Sequence, residues 1–257
     1  MKIRRVLWVF SLVSAGLFSV LSPARTETTE SSAPKAEVEP KALEALQRMS
    51  GYLQTLKSFE LKADATMDQV FENGQKLQFG AQVHYKVRRP DGFVIDLVTD
   101  RKSRRFFYDG KTFTLSAPNL GLYAGVPAPS TIAEVLQVLD EQYDIYIPMT
   151  DLFRWSDPTD KRAEDLISGV YVGYAKIGDR DCDQYAFREA SVDWQVWIAR
   201  GDHPLPLKMV ITSTMLDAAP QFVSNLTWTE NPEFDDEDFA FKPAEGNSAI
   251  QLSQGME

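Results

Sequence analysis

The spacing of apolar positions divides the chain into stretches of helical and of strand period. Leu43, Leu46, Met49, Leu53 and Leu56 recur at three- and four-residue steps, which predicts an amphipathic helix over residues 40–56. Pro40 suits its first turn, and Gly51 is a weak point inside it. From Ser58 onward apolar residues alternate with polar ones instead. Leu77, Phe79, Ala81, Val83, Tyr85 and Val87 are interleaved with Gln78, Gly80, Gln82, His84 and Lys86, a strand with one apolar and one wet face. Glu72-Asn73-Gly74 before it is a hairpin signal, and Arg89-Pro90-Asp91-Gly92 after it is a turn. Phe93, Ile95 and Leu97 resume the alternation, and residues 106–108, Asp109-Gly110 and 113–115 read as a further hairpin.

The middle of the chain breaks this pattern. Residues 117–129 hold three prolines and two glycines and read as a loop. Thr131 and Glu134 form a capping box ahead of a helical stripe of Ile132, Val135, Leu136 and Leu139. Residues 144–155 are rich in large apolar groups without alternation. Strands return at 170–177, 182–188, 194–199, 205–214 and 222–230, about eleven in all. Trp194, Val196 and Ile198 face one way while Trp197 and Ala199 face the other. An antiparallel sheet that is apolar on both sides must be covered twice or line a cavity. The pattern therefore predicts an α+β fold, a large curved antiparallel sheet with helices on its concave side.

Residues 1–24 have the pattern of a cleavable secretory signal. Lys2, Arg4 and Arg5 precede an apolar run over 6–21, and Ser22-Pro23-Ala24 places small residues at a cleavage site. An uncleaved anchor is the rival reading, and the lack of a Cys after the run excludes a lipoprotein anchor. No other stretch is apolar enough to span a bilayer. Residues 25–39 are Thr, Ser, Glu, Pro and Ala with almost no apolar content and read as a flexible leader; residues 246–257 read as a similar tail. Between them, residues 40–245 are expected to form a single domain. The location expected is the periplasm.

Composition narrows the chemistry. With 44% hydrophobic and 25% charged residues the chain is globular. The formal net charge is −10; without residues 1–24 it becomes −13, with 24 basic against 37 acidic residues. That balance argues against nucleic acid as a partner. The single Cys182 allows no intrachain disulfide and no Cys-based zinc site, and Asp181 and Asp183 beside it should raise its thiol pKa. His84 lies on a wet strand face and His203 in a turn before Pro204, neither beside a nucleophile in sequence. Residues 235–238, all acidic, lack the spacing of an EF-hand and read as a solvated turn more readily than a calcium site. There is no Gly-rich phosphate loop, no His-Glu-x-x-His and no Gly-x-Ser-x-Gly. No metal, cofactor or catalytic residue is expected.

In the order of its motifs the chain resembles the periplasmic lipoprotein-carrier superfamily that includes LolA and LolB. The residues that carry the likeness are the helix at 40–56, Ser58-Phe59, Arg88-Arg89-Pro90, Asp109-Gly110-Lys111-Thr112, the helical segment at 131–139, and the terminal run from Glu237 to Pro243. They cover nearly all of residues 40–243. The resemblance implies an unclosed half-barrel of about eleven strands with a helical lid over a hydrophobic cavity, and the binding of acyl chains, not catalysis. Carriers of this kind hold an Arg before that Pro that helps keep the lid shut, and Arg89 is the matching position. The longer middle loop and the acidic balance depart from the carriers and weigh against lipoprotein cargo itself.

Alternation and the resemblance together nominate Phe79, Val83, Tyr85, Phe93, Ile95, Leu97, Val135, Leu139 and Trp197 as cavity residues, with Met149, Leu152, Phe153 and Trp155 in the lid; each has an ordinary core reading beside it. Thioethers and flat rings suit acyl chains of variable shape. Arg101, Lys102, Arg104 and Arg105 are the basic block of an acidic chain, a solvated turn or a docking patch for anionic headgroups or an acidic partner. The function expected is a periplasmic binding protein or carrier for lipid, acyl or lipoprotein ligands, with a partner in the inner or outer membrane as an option. An envelope-stress or regulatory interaction module of the same fold is the alternative. An extracytoplasmic hydrolase is the reading that the missing motifs disfavour.

Overall fold

The computed structural model describes residues 37–145, 147 and 165–253. Helix α1 (Pro40–Thr55) opens with Pro at its N-terminus and buries Ala42, Ala45, Leu46, Met49 and Leu53. Leu43 is half-buried, so the packed stripe is rotated toward the two alanines, which let the helix lie close to the sheet.

Six strands follow: β1 (Ser58–Val70), β2 (Lys76–Arg88), β3 (Gly92–Thr99), β4 (Ser103–Tyr108), β5 (Thr112–Ala117) and β6 (Leu122–Pro127). Helix α2 (Ile132–Tyr143) comes next, then β7 (Ser168–Ile177), β8 (Arg180–Arg188), β9 (Val192–Ala199), β10 (Pro206–Ser213) and β11 (Gln221–Glu230), with the two-residue β12 (Ser248–Ala249) near the end. All twelve lie in one sheet, in the order β12-β6-β5-β4-β3-β2-β1-β11-β10-β9-β8-β7. Every pairing is antiparallel except β12 with β6. The sheet does not close on itself. It is the unclosed half-barrel of an α+β fold, with both helices packed on the concave face.

Strand period sorts the side chains to two faces. The inner face holds Phe59, Leu61, Ala63, Val83, Tyr85, Phe93, Ile95, Tyr108, Phe187, Trp194 and Val196, in one buried cluster with the apolar faces of α1 and α2. The outer face has two smaller clusters. One gathers Cys182, Trp197, Ala199, Leu207 and Val210, so β9 is apolar on both sides as its alternation predicts. The other is formed by the chain after β11: a capped turn at Asp236–Asp238 leads into Phe239, which is 1% exposed against Val94 and Phe107. Gly92 leaves room for that ring, since a Cβ there would meet it at 3.0 Å.

Four expectations are corrected. Residues 117–129 are not all loop: a short 3-10 turn, Pro118–Leu120, leads into β6. Gly125 and Pro127 are tolerated because β6 lies near the sheet edge, where its far side pairs with only two residues. The tail from 246 is not free, since Ser248 N–H donates to Gly121 O at 2.8 Å and Ile250 N–H to Tyr123 O at 2.8 Å. The last leader residues also dock: Val38 bridges Gly169, and Glu39 N–H donates to Gly169 O at 2.8 Å. Finally, the second helix runs to Tyr143, ended by Asp144 in the left-handed region (φ 52°).

Candidate ligand-binding site

The inner face changes character along its strands. On β1, Phe59, Leu61, Ala63 and Ala65 are buried and Met67 is half-buried. On β2, Tyr85 and Val83 are buried, Ala81 and Phe79 half-buried, and Leu77 is 38% exposed. β3 goes from Phe93 and Ile95 to half-buried Leu97, and β11 from Leu226 to half-buried Phe222. Among the described residues the side chains stay apolar while their cover thins toward the ends joined by the β1–β2, β3–β4 and β10–β11 turns.

Register aligns these residues into a cross-strand row. Phe79 pairs with Met67, Met67 with Phe222, Phe222 with Ile211, Ile211 with Trp194, and Trp194 with Phe187. Six neighbouring strands contribute, so the row runs roughly 24 Å across the sheet. At its covered end the Phe187 and Trp194 rings stack at 4.2 Å, and the Trp194 indole donates to buried Glu189 at 2.9 Å. At its open end the Arg101 guanidinium lies 4.4 Å above the Phe79 ring. Arg104 is half-buried on the same inner face, opposite Leu97. An apolar row ending in cations is suited to a chain-like amphiphile with an anionic head.

The nominated residues fall into three groups. Val83, Tyr85, Phe93, Ile95, Val135 and Leu139 are together in the buried inner cluster, with Leu97 at its margin. They pack as core, and burial drives the Tyr85 hydroxyl pKa far above its ordinary value. Phe79 stands apart from them, at the open end of the row. Trp197 is on the other side of the sheet, under the Lys208 ammonium at 4.9 Å from its ring centroid. The reason is parity: Trp197 is one residue out of step with Trp194, Val196 and Ile198. Met149, Leu152, Phe153 and Trp155 lie outside the described residues.

Arg89 is placed where α2 begins. Its N–H donates to Lys57 O at 2.7 Å, a cis peptide joins it to Pro90, and Pro90 O accepts from Ile132 N–H at 2.8 Å. Burial pushes the Arg89 guanidinium pKa down. Thr131 caps the helix as its spacing predicts, accepting from Glu134 N–H and donating to the Glu134 carboxylate. The basic block divides. Arg101 and Lys102 are in the β3–β4 turn, Arg104 faces inward, and Arg105 faces outward in an ion pair with Asp96.

Some polar constellations are invisible to sequence spacing. Tyr52 of α1 donates to Glu230 at the end of β11, and His203 of the β9–β10 turn meets the same carboxylate at 3.0 Å. Burial and the Glu230 carboxylate push the Tyr52 hydroxyl up to about 12. Burial alone would raise Glu230, but hydrogen bonds from Tyr52 and His203 outweigh it and hold the carboxyl below its ordinary value. Asp236 in the acidic run pairs with Arg88 at 2.7 Å. Cys182 is buried, and burial first, then Asp183 and Asp181, raises its thiol pKa. Among the described residues no group of three or more His, Cys, Asp or Glu is placed to hold a metal ion, and no helix is long and apolar enough to cross a membrane. The outer face has a groove of about 440 Å³, lined by Asp64, Thr66, Gln82, Asp100 and Asn225. Val98, Val223, Ala65 and Ala81 line it as well, so its wall is mixed polar and apolar.

Residues 42–253 match the family described as Predicted periplasmic protein (DUF2092), and the location in that description is the one expected from residues 1–24. No curated protein matches the chain in sequence. Solved structures similar to it include an uncharacterized conserved protein from Thermus thermophilus, at 7% identity over 82% of this chain and 99% of that one, with a TM-score of 0.47. LprF from Mycobacterium bovis aligns at 13% identity over 77% of this chain and 97% of its own, TM-score 0.46. A LolA superfamily protein from Nitrosomonas europaea aligns at 10% identity over 78% and 97%, TM-score 0.36.

Proposed function

The chain belongs to the DUF2092 family of predicted periplasmic proteins, and from that premise we propose that it is a non-catalytic binding protein or carrier for a lipid or acyl ligand. Residues 1–24 would direct its export. The ligand's chain would lie along the inner row of Ile211, Phe222, Met67 and Phe79, and its anionic head would meet Arg101 and Arg104.

The observation that carries this reading is the half-buried apolar end of the inner face. A sheet that served only as scaffold would turn polar where its helical cover thins, because exposing apolar area costs ~25 cal/mol per Å². Here Met67, Phe79, Ala81, Leu97, Ile211 and Phe222 remain apolar. A carbon chain laid on them would remove that area from water.

Native mass spectrometry of the protein taken from its own periplasm tests the proposal. An added mass of lipid size is expected, recoverable by organic solvent. Met67→Asp and Phe222→Asp should each weaken binding of a fluorescent fatty acid by at least about tenfold, since a carboxylate beside the chain must be desolvated. No added mass, together with no fatty-acid binding, would sink the proposal.

A further inference from the structure

The middle of the sheet carries a glycine that the fold itself does not require. Glycine weakens a strand interior and is kept there for a bulge, for positive φ or for the close approach of another group. Gly80 lies inside β2. The ladder between β1 and β2 runs through it without a shift, with Gly80 opposite Thr66, and Ala81 pairs regularly with Thr99 of β3. Its φ is not in the left-handed region. A Cβ there would meet nothing nearer than the Asp100 carboxylate at 3.5 Å, an ordinary contact. Gly92 is the contrast, since the Phe239 ring leaves it no such room. What remains for Gly80 is the approach of a group from outside. It lines the outer-face groove of about 440 Å³, and its missing side chain keeps that groove open.

The polar side chains around this opening are uncommitted. Asp64, Thr66, Gln82 and Asn225 line the groove, and among the described residues none of their side chains has a hydrogen-bond or ion-pair partner. Other carboxylates of the same face are tied: Glu60 to His84 at 3.1 Å, Asp68 to Lys76 at 3.1 Å, and Asp96 to Arg105. No Lys or Arg lines the groove. The cations nearest in register are engaged elsewhere or stand outside it. Lys208 lies over the Trp197 ring, Lys76 holds Asp68, and exposed Lys62 is two residues before Asp64. Beside the polar groups Val98 is 49% exposed and Val223 half-buried. The volume is within the ~300–1,000 Å³ of small-molecule sites.

We infer that this groove binds a short neutral saccharide, at a site separate from the inner-face row. A sugar ring combines the two kinds of surface found here. Its hydroxyls donate to the Asp64 carboxylate and exchange hydrogen bonds with the Gln82 and Asn225 amides, each of which both donates and accepts. Its C–H face packs on Val98 and Val223, and Gly80 lets it approach the sheet. An anionic ligand would meet Asp64 and Asp100 with no cation in the wall. A peptide recognised through its backbone needs a free strand edge. The groove lies over β11, β1, β2 and β3, each of which is paired on both sides.

Titration of the exported chain with maltose, cellobiose and N,N′-diacetylchitobiose, followed by ligand-observed NMR, tests it. Binding of at least one is expected. Gly80→Val should weaken that binding at least about tenfold by filling the groove, with thermal stability unchanged or raised, because valine suits a strand better than glycine. Asp64→Ala should weaken it about tenfold through a lost charge-assisted hydrogen bond. Its melting temperature should not change, since the Asp64 side chain has no partner among the described residues. Met67→Asp should leave saccharide binding intact, which separates this groove from the inner row. No binding of any of these saccharides, or binding equal in Gly80→Val and Asp64→Ala to that of the parent, overturns the inference. So does a fatty acid that competes with the saccharide or loses its own binding in Gly80→Val, which would make this groove the acyl site.

Discussion

Single residues show how polar groups are admitted to this sheet. Trp194 stacks in the inner core, yet its indole N–H needs an acceptor, and Glu189 supplies one at 2.9 Å. Glu189→Ala should cost about 1–3 kcal/mol in urea unfolding, because the buried donor loses its partner. The Tyr52, His203 and Glu230 cluster ties α1 to the β9–β10 turn. Tyr52→Phe should cost about 1 kcal/mol there. Since the Glu230 carboxyl is held below its ordinary value, the folded state favours its ionised form. That contribution is present above the unfolded carboxyl's pKa and is lost as pH falls through the folded one. The Glu230→Gln variant should therefore lose less stability than the parent between neutral and acid pH, measured by urea midpoints. The Tyr52–Glu230 contact is not legible in sequence spacing, because the two residues are far apart in the chain and meet only through β1–β11 pairing.

At the scale of elements, the C-terminal run after β11 is the part most changed by the structure. In sequence its residues 235–238 read as a solvated acidic turn and residues 246–257 as a tail. Folded, it straps the outer face: Arg88 pairs with Asp236 and sits 4.8 Å from the Phe239 ring, Phe239 fills the space above Gly92, and β12 adds to the edge at β6. Phe239→Ala should cost about 3–5 kcal/mol, as for other buried aromatic truncations, and Gly92→Ala should also destabilise by crowding that ring. Ending the chain after Asn231 would expose Val94 and Phe107 and lower the melting temperature, whereas a dispensable tail would leave it unchanged. By contrast α1, α2 with its Thr131–Glu134 cap, and β2 with its Asn73-Gly74 turn follow their local patterns, since each is specified by residues within a few turns or strand pitches of one another.

At the scale of the molecule, one sheet joins everything from β1 to β12, so a ligand held on its inner face is coupled to global stability. If the inner row binds lipid, the loaded protein at a hundred times its dissociation constant gains ~2.7 kcal/mol. For a domain of this size that raises the melting temperature by roughly 5–10 °C. Calorimetry before and after solvent delipidation reads the difference, and equal melting temperatures with proven lipid loss would count against a ligand on the inner face. The same view explains why Trp197 is not with the other nominated residues. A half-barrel has two faces, and strand parity alone does not say which one the helices cover.

The sequence by itself determined the class of fold, the strand period, both helices, the two-sided apolar character of β9 and the expected export. These depend on local periodicity and composition, which are written in consecutive residues. Only the tertiary structure decided which face is inner, that Phe79, Met67, Phe222 and Ile211 form one row, that Arg101 meets its end, and that the chain after β11 straps the outside. Those facts follow from register, from which strands become neighbours and from where cover runs out, and residues distant in the chain settle them jointly.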